Sequence, residues 1–532
     1  MSRELFAREA LAQIPKILTL QDRNAHSPTY GCFDRNFWHY KIIDFPSGMA
    51  AEFVWPLALV YALPIAGNPY HGQPSIKEWA EAGILYAARS AHSDGSCDDY
   101  FPFEKAAGAA AFSLLAGLDA YALLDLHNPE ILAFFAKRAD WLAGHHESGR
   151  LTNHQALIVL CLEKAGRLFE SHRWDKLKAK RLKRVLDWQD EEGWFREYEG
   201  CDPGYHTLTI ALLAQLYELT PGTELKSALE RAVHFAAHFV HPDGSFGGEY
   251  TSRNTHNFFP HGFEIVGRWM PDALAINDRF LTGLASGLGS CYADDHILGH
   301  HTWSYLLAFQ QWVETRPDPV APAQGRLHFK HAGIIVERRG TGVLYLALNK
   351  GGVFKFFVDQ RLVQSDTQFS VQVKDGRLRA AVAHLVGKYD TRIEDDEIVI
   401  EGKLGWAKTK QMTTFNLVAL RALMLTVGRF FPDLVRKILQ RILITGRKSA
   451  PFHFSRTLTW KGGQLSVADE LAADSWEKVN AVGIGAAQTS IYVVMSRTWQ
   501  MSQLQPWLDL TAKMHALAPG ETLRLERTFE AR

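Results

Sequence analysis

Nine side chains in this sequence stand just before or at the start of apolar helical segments and could do chemistry. Tyr100 and Glu104 come first, then the neighbours Asn153 and His154. Tyr205 and His206 follow, and Arg253, Asn254 and His256 close the set. Asn and Arg offer donors that can neutralise a carboxylate, while Tyr and His can take up or give a proton. Asp98, Asp99, Glu199, Asp202 and Glu249 share the same stretches with Glu104. Two carboxyl groups roughly 5–10 Å apart would suit glycoside hydrolysis. Residue types alone therefore leave proton abstraction and hydrolysis both open, and each residue taken singly could equally cap a helix or bond within a turn.

Those residues are placed by an internal repeat. Four stretches set a glycine turn ahead of a small-residue or apolar helix, with Gly95, Gly149, Gly193 and Gly244 in the turns. Their spacings are 149−95=54, 193−149=44 and 244−193=51, a period that suits one helical hairpin per repeat. Outer helices are expected at Pro129–His145 and Glu224–His241, where apolar residues recur at helical spacing. Stacked hairpins of this kind form a solenoid or close into an α/α toroid. The loops ahead of the inner helices then share one face, where sites gather on a rigid scaffold.

Composition changes beyond residue 315. The proline-rich residues 316–326 read as a linker between a helical part, 1–315, and a β part, 327–532. Short β-branched runs such as GIIVERR, GVLYLAL, GVFKFFV and FSVQVKDG, with TSIYVVMS near the end, predict an antiparallel β-sandwich. An insertion at 415–448 has helical periodicity instead. Leu434, Val435, Ile438 and Leu439, with Ile442 and Leu443, fall on one face, and Arg436, Lys437, Gln440 and Arg441 lie opposite. It holds seven basic residues against one acid, Asp433. A helix packed on its own sheet with a solvated basic face is expected, and peripheral contact with an anionic membrane is the sharper alternative.

The chain of 532 residues exceeds one ordinary core, and its 58 Lys+Arg balance 58 Asp+Glu. No basic excess supports nucleic-acid binding. Cys32, Cys97, Cys161, Cys201 and Cys291 are scattered without CxxC spacing, which argues against a disulfide scaffold or a cysteine-built zinc site. The N-terminal stretch is charged throughout, so no secretion signal and a cytoplasmic location are expected. No phosphate-binding loop or flavin fingerprint occurs, and no cofactor is expected.

The α+β arrangement, an incomplete α/α toroid followed by an antiparallel β-sandwich, resembles the heparinase II/III-like polysaccharide lyases. The stretch TNHQALIVLCLEKAG is similar to that family's Asn-containing start of an inner helix. The resemblance implies that Asn153 binds the substrate's uronate carboxylate. The stretch EEGWFREYEGCDPGYHTLTIALLAQL is similar to the pattern ahead of the next inner helix, with Glu199, Gly200 and Tyr205 matching. It implies Tyr205 as the catalytic acid/base. The partner implied is an acidic polysaccharide or oligosaccharide. β-Elimination beside a uronate needs its carboxylate neutralised, the C5 proton accepted and the leaving oxygen protonated. His154, His206 and His256 are candidates for the proton steps, and Arg253, Asn254, Glu104 and Tyr100 for substrate contacts.

The sequence departs from that family where an H-x-H-x-D motif is usual. Asp366 and Gly376 fit, but Leu362 and Gln364 occupy the histidine positions. One carboxylate does not make a metal site, so no family-type metal is expected. Proton transfer is then left to Tyr205 and the helical part's histidines. The alternatives are a non-catalytic glycan-binding protein in polysaccharide synthesis or export, or a glycoside hydrolase on an α/α scaffold.

Overall fold

The computed structural model describes residues 2–147, 149–197, 200–289, 295–319, 321–407, 412–440, 448–487 and 507–530. Helices fill the chain up to Gln310. α1 (Glu4–Leu11), α2 (Ile14–Leu20) and the short α3 (Arg35–Trp38) lead to α4 (Val54–Ala62) and α5 (Pro74–Ser90). Hairpins follow as α6 (Ala107–Leu123) with α7 (Pro129–Gly144), then α8 (Thr152–Leu168) with α9 (Asp175–Asp187). A two-stranded ribbon, β1 (Arg196–Glu197) and β2 (Gly200–Cys201), precedes α10 (Pro203–Leu219) and α11 (Thr223–Ala236). α12 (Pro260–Gly267), α13 (Asp272–Ala285) and α14 (Asp295–Gln310) complete the series.

The inner helices α4, α6, α8, α10, α12 and α14 pack each on the next, and α14 returns to α4. The helices α5, α7, α9, α11 and α13 form the outer layer, with α1 against α14. This is an α/α toroid. Inner helices such as α6 and α10 are apolar nearly all round because they are buried on nearly every side. All four turn glycines take positive φ, 86°, 101°, 101° and 82° in chain order. At Gly193 a Cβ would sit 2.5 Å from the Arg231 carbonyl oxygen, so the turn closes against the outer helix only without a side chain.

Beyond the toroid, β3 (Gly325–Phe329), β4 (Ile334–Arg339), β5 (Gly342–Ala347), β6 (Val353–Val358) and β7 (Arg361–Asp366) form an antiparallel meander. A larger antiparallel sheet comprises β8 (Phe369–Asp375), β9 (Arg377–Val382), β10 (Asp390–Ile393) and β11 (Glu397–Trp406). It continues with β12 (Ser449–Lys461), β13 (Gln464–Ala473), β14 (Val479–Gly485), β15 (Trp507–Asp509) and β16 (Leu523–Glu530). The smaller sheet is sandwiched. Ile335, Leu344, Leu346, Phe354 and Phe356 face the larger sheet's Phe369, Ile400 and Val467. Ile334, Val336, Tyr345, Val353 and Phe357 face the toroid. Burial on both faces is why β4 to β6 are almost continuously apolar, while β12 alternates buried and exposed positions. The expected strand TSIYVVMS lies outside the described residues.

The insertion does not pack on its own sheet, as the sequence had suggested. α15 (Thr414–Leu425) and α16 (Pro432–Gln440) lie against the toroid's loop face. Met424 and Val435 are buried with Phe101, and Arg421 pairs with Asp44 at 3.0 Å. Arg436, expected on a solvated basic face, bridges Glu104 (2.9 Å) and Glu147 (2.8 Å). Long-range ion pairs of this kind outweigh the local amphipathic pattern. Ile442, Leu443 and Arg441 lie outside the described residues.

Candidate functional site

The site is built at the N-termini of α8 and α10, with the loop ahead of α12 folded over them. Asp202 organises it. Its Oδ1 accepts the Tyr205 N–H (3.0 Å), capping α10. Its Oδ2 accepts the Thr251 hydroxyl (2.9 Å) and the Arg253 N–H (3.1 Å), and the Thr255 hydroxyl donates to Oδ1. One buried carboxylate thus ties residues 251–255 to the helix start. Gly204 is required there, since a Cβ would fall 2.0 Å from the Thr255 hydroxyl oxygen. The result sets the Arg253 guanidinium 5.0 Å from the centre of the half-buried Tyr205 ring.

Next to this pair, Asn153 opens α8 and is buried. Its backbone N–H donates to Glu197 Oε1 at 2.9 Å, and its side chain also bonds to Glu197. Glu197 is fully buried on β1, which bridges back to Leu151. Burial pushes its carboxyl up to about 7, against the opposing pull of Asn153, His154 and Arg253. Glu197 was not singled out from the sequence, where the neighbouring Glu199 drew the motif match. Glu199 itself lies outside the described residues. Its place follows from the hairpin register, Glu197 opposite Gly200, which the local sequence does not announce.

His154 is half-buried beside Asn153, its Nδ1 bonded to Glu147 Oε2 at 2.8 Å. Burial would raise the Glu147 carboxyl, but His154 and Arg436 outweigh it and hold it at about 2. Arg436 continues the chain of charges to Glu104, whose Oε2 also accepts the Tyr100 N–H at 2.8 Å. Burial raises the Glu104 carboxyl despite Arg436. The Tyr100 ring stays at the surface. Lys105, the next residue, pairs with Asp94 at 2.6 Å.

The other predicted residues divide. His206 is not in the cleft: it is buried, its Nδ1 accepts the Phe195 N–H (3.3 Å) and its Nε2 donates to the Ala232 carbonyl (2.8 Å). Burial lowers it to about 4. A helix turns about 100° per residue, so Tyr205 and His206 face different ways. His256 lies in a buried layer beneath the loop, 3.4 Å from Glu249, which pairs with Lys355 at 2.9 Å. Burial would raise the Glu249 carboxyl, but Lys355 and His256 hold it well below the ordinary range. Asn254 takes a left-handed φ of 61° and accepts from the Lys350 ammonium, which also donates to the Glu249 (2.6 Å) and Thr251 (2.9 Å) carbonyls. Burial brings Lys350 down to about 7. That lysine, on the β part, fixes the loop that carries Arg253, and sequence reasoning missed it.

Asp366, at the family's metal-linked position, is held by two guanidiniums. Arg456 reaches it at 2.8 Å and Arg527 at 2.7 Å, and both also bind Asp469. No group of three or more His, Cys, Asp or Glu suited to a metal ion occurs among the described residues. Among the described residues, the acids that could form a hydrolase pair have these partners. Asp98 accepts the Phe103 N–H (2.7 Å), Asp99 the Ser47 hydroxyl (2.6 Å), and Asp202 and Glu249 are bonded as above.

No protein-family model matches the sequence, and no curated protein does. Among solved structures the chain is similar to heparan sulfate lyase HepC from Pedobacter heparinus. The identity is 13% and the TM-score 0.42, over 90% of this chain and 70% of that one. It is also similar to the Streptomyces coelicolor A3 chondroitin AC lyase at 13% identity and TM-score 0.46, over 99% and 79% of the two chains. An unsaturated glucuronyl hydrolase specific for heparin matches at 10% identity and TM-score 0.41, covering 58% of this chain and 96% of its own. At such identities the chemistry rests on the site's own residues.

Proposed function

We propose that the protein is a polysaccharide lyase-like enzyme that performs β-elimination on a uronate-containing polysaccharide or oligosaccharide. The observation that carries this reading is that buried Glu197, bonded to Asn153, also feels the charge of Arg253, whose guanidinium lies 5.0 Å from the Tyr205 ring. Asn153 and Arg253 would bind the uronate carboxylate and stabilise the charge that develops as the C5 proton leaves. Tyr205 would take that proton and return one to the departing glycosidic oxygen. Glu197 is a positioning residue in this scheme, since it holds Asn153 from behind. His154, next to Asn153 in the chain and oriented by Glu147, would supply a second proton-transfer group.

The test is a screen of uronate-containing polysaccharides for the absorbance of an unsaturated uronate product. Product with wild type and none with Tyr205→Phe would support the scheme. Binding without product would favour a glycan-holding protein, the reading to which Leu362 and Gln364 at the family's histidine positions lend weight.

A further inference from the structure

We propose that the hairpin of α15 and α16 is a docking surface for an anionic lipid bilayer. Exposure is the first observation. Of the twenty exposed large apolar side chains among the described residues, eleven lie between Met412 and Ile438. Phe415 is 79% exposed, Phe430 66% and Val418 60%, and Leu425, Phe431 and Leu434 are open as well. Soluble chains scatter such residues singly, whereas a concentration of them marks a contact surface.

The patch continues onto a second element. Arg421 pairs with Asp44 and lies over the Phe45 ring, which sets the loop bearing exposed Tyr40, Lys41 and Ile42 beside α15. The hairpin is thus fixed at its inner side by Met424, Val435, Arg421 and Arg436, and its outer side is left apolar. Two short helices lying on the body, rather than a spanning element, suit the interfacial layer. No helix among the described residues is long and apolar enough to cross a membrane.

Charge selects the occupant. Between Met412 and Gln440 the basic residues are Arg421, Arg429, Arg436 and Lys437, and Asp433 is the one acid. Arg429 and Lys437 remain exposed among the apolar side chains, and Arg429 packs on Phe430. Apolar side chains interspersed with cations are the pattern of an interfacial helix on anionic lipid. A second copy fits poorly, because a two-fold contact would set these cations against one another. Docked this way, the inner side of α16 keeps Arg436 on Glu104 and Glu147, so lipid would lie beside the His154 side of the site. The inference does not depend on the lyase reading.

Vesicle flotation of the full chain tests it, with phosphatidylcholine alone and with phosphatidylcholine mixed with phosphatidylserine. Phe415→Asp with Phe430→Asp removes exposed apolar contact, and Arg429→Glu with Lys437→Glu reverses exposed charge. Thermal melts check that both remain folded. Wild type should float with the anionic vesicles, and each double variant should lose roughly tenfold or more of that binding. Failure of wild type to float, or equal flotation on both vesicle types, would overturn the proposal. So would a concentration-dependent dimer in light scattering that Phe415→Asp with Phe430→Asp dissolves, which would assign the face to a second copy.

Discussion

Two buried polar clusters in this molecule are built to opposite ends. In the β part, Arg456, Arg527, Asp366 and Asp469 pair two cations with two carboxylates, and Arg456 and both acids are fully enclosed. The arginines outweigh burial and hold Asp366 below the ordinary carboxylate range. At the mouth of the toroid, Glu197 is equally enclosed, yet the pull of Asn153, His154 and Arg253 falls short of its desolvation and its carboxyl rises to about 7. Burial alone raises a carboxyl and a bonded guanidinium lowers it. The difference teaches where ligand chemistry is to be expected. The first cluster sets its charges against one another, while the second keeps a raised carboxyl with the Arg253 charge nearby.

The comparison can be broken most severely at Arg456. Arg456→Met leaves two enclosed carboxylates to share Arg527 alone, and a loss of about 3–5 kcal/mol in denaturant unfolding is expected. Asn153→Ala should act on the other side of the comparison. Product formation on a responsive substrate should fall by about 10²–10³-fold, with the melting temperature little changed.

Glu197→Gln sharpens the contrast through pH. A carboxyl whose pKa is raised in the folded state binds its proton more tightly there than in the unfolded chain. Stability from this group is therefore present at low pH and lost as pH rises from the ordinary carboxylate value through about 7. The variant should remove that loss, so its melting temperature relative to wild type should be higher at pH 8 than at pH 5. The smallest effect is expected at His206. Replacement by Leu loses two buried bonds, costing about 1–3 kcal/mol in stability, and the activity per folded molecule should stay as it was.

The repeat was legible because sterics enforce it. A turn that presses backbone on backbone, as at Gly193, accepts glycine alone, and glycine is visible in a sequence. The apolar runs of β4 to β6 were equally visible, although their continuity was a sign of burial on both faces rather than of a half-exposed sheet. The site was legible to the level of a loop but not of a side chain. Tyr205 and His206 are neighbours, and only the packing of α10 decides that His206 turns inward to Phe195 and Ala232. Lys350 and Arg436 reach the site from elements far along the chain, Arg436 from 332 residues beyond Glu104. No local pattern announces such contacts.

The central claim is that Tyr205 moves the proton, supported by donors held around Glu197. Its most direct test is the ultraviolet absorbance of unsaturated product from a uronate-containing polysaccharide that wild type cleaves, measured for Tyr205→Phe. Loss of the hydroxyl should lower the rate by about 10²–10⁴-fold while leaving the melting temperature and glycan binding close to wild type. A variant that still forms product at the wild-type rate would contradict the account.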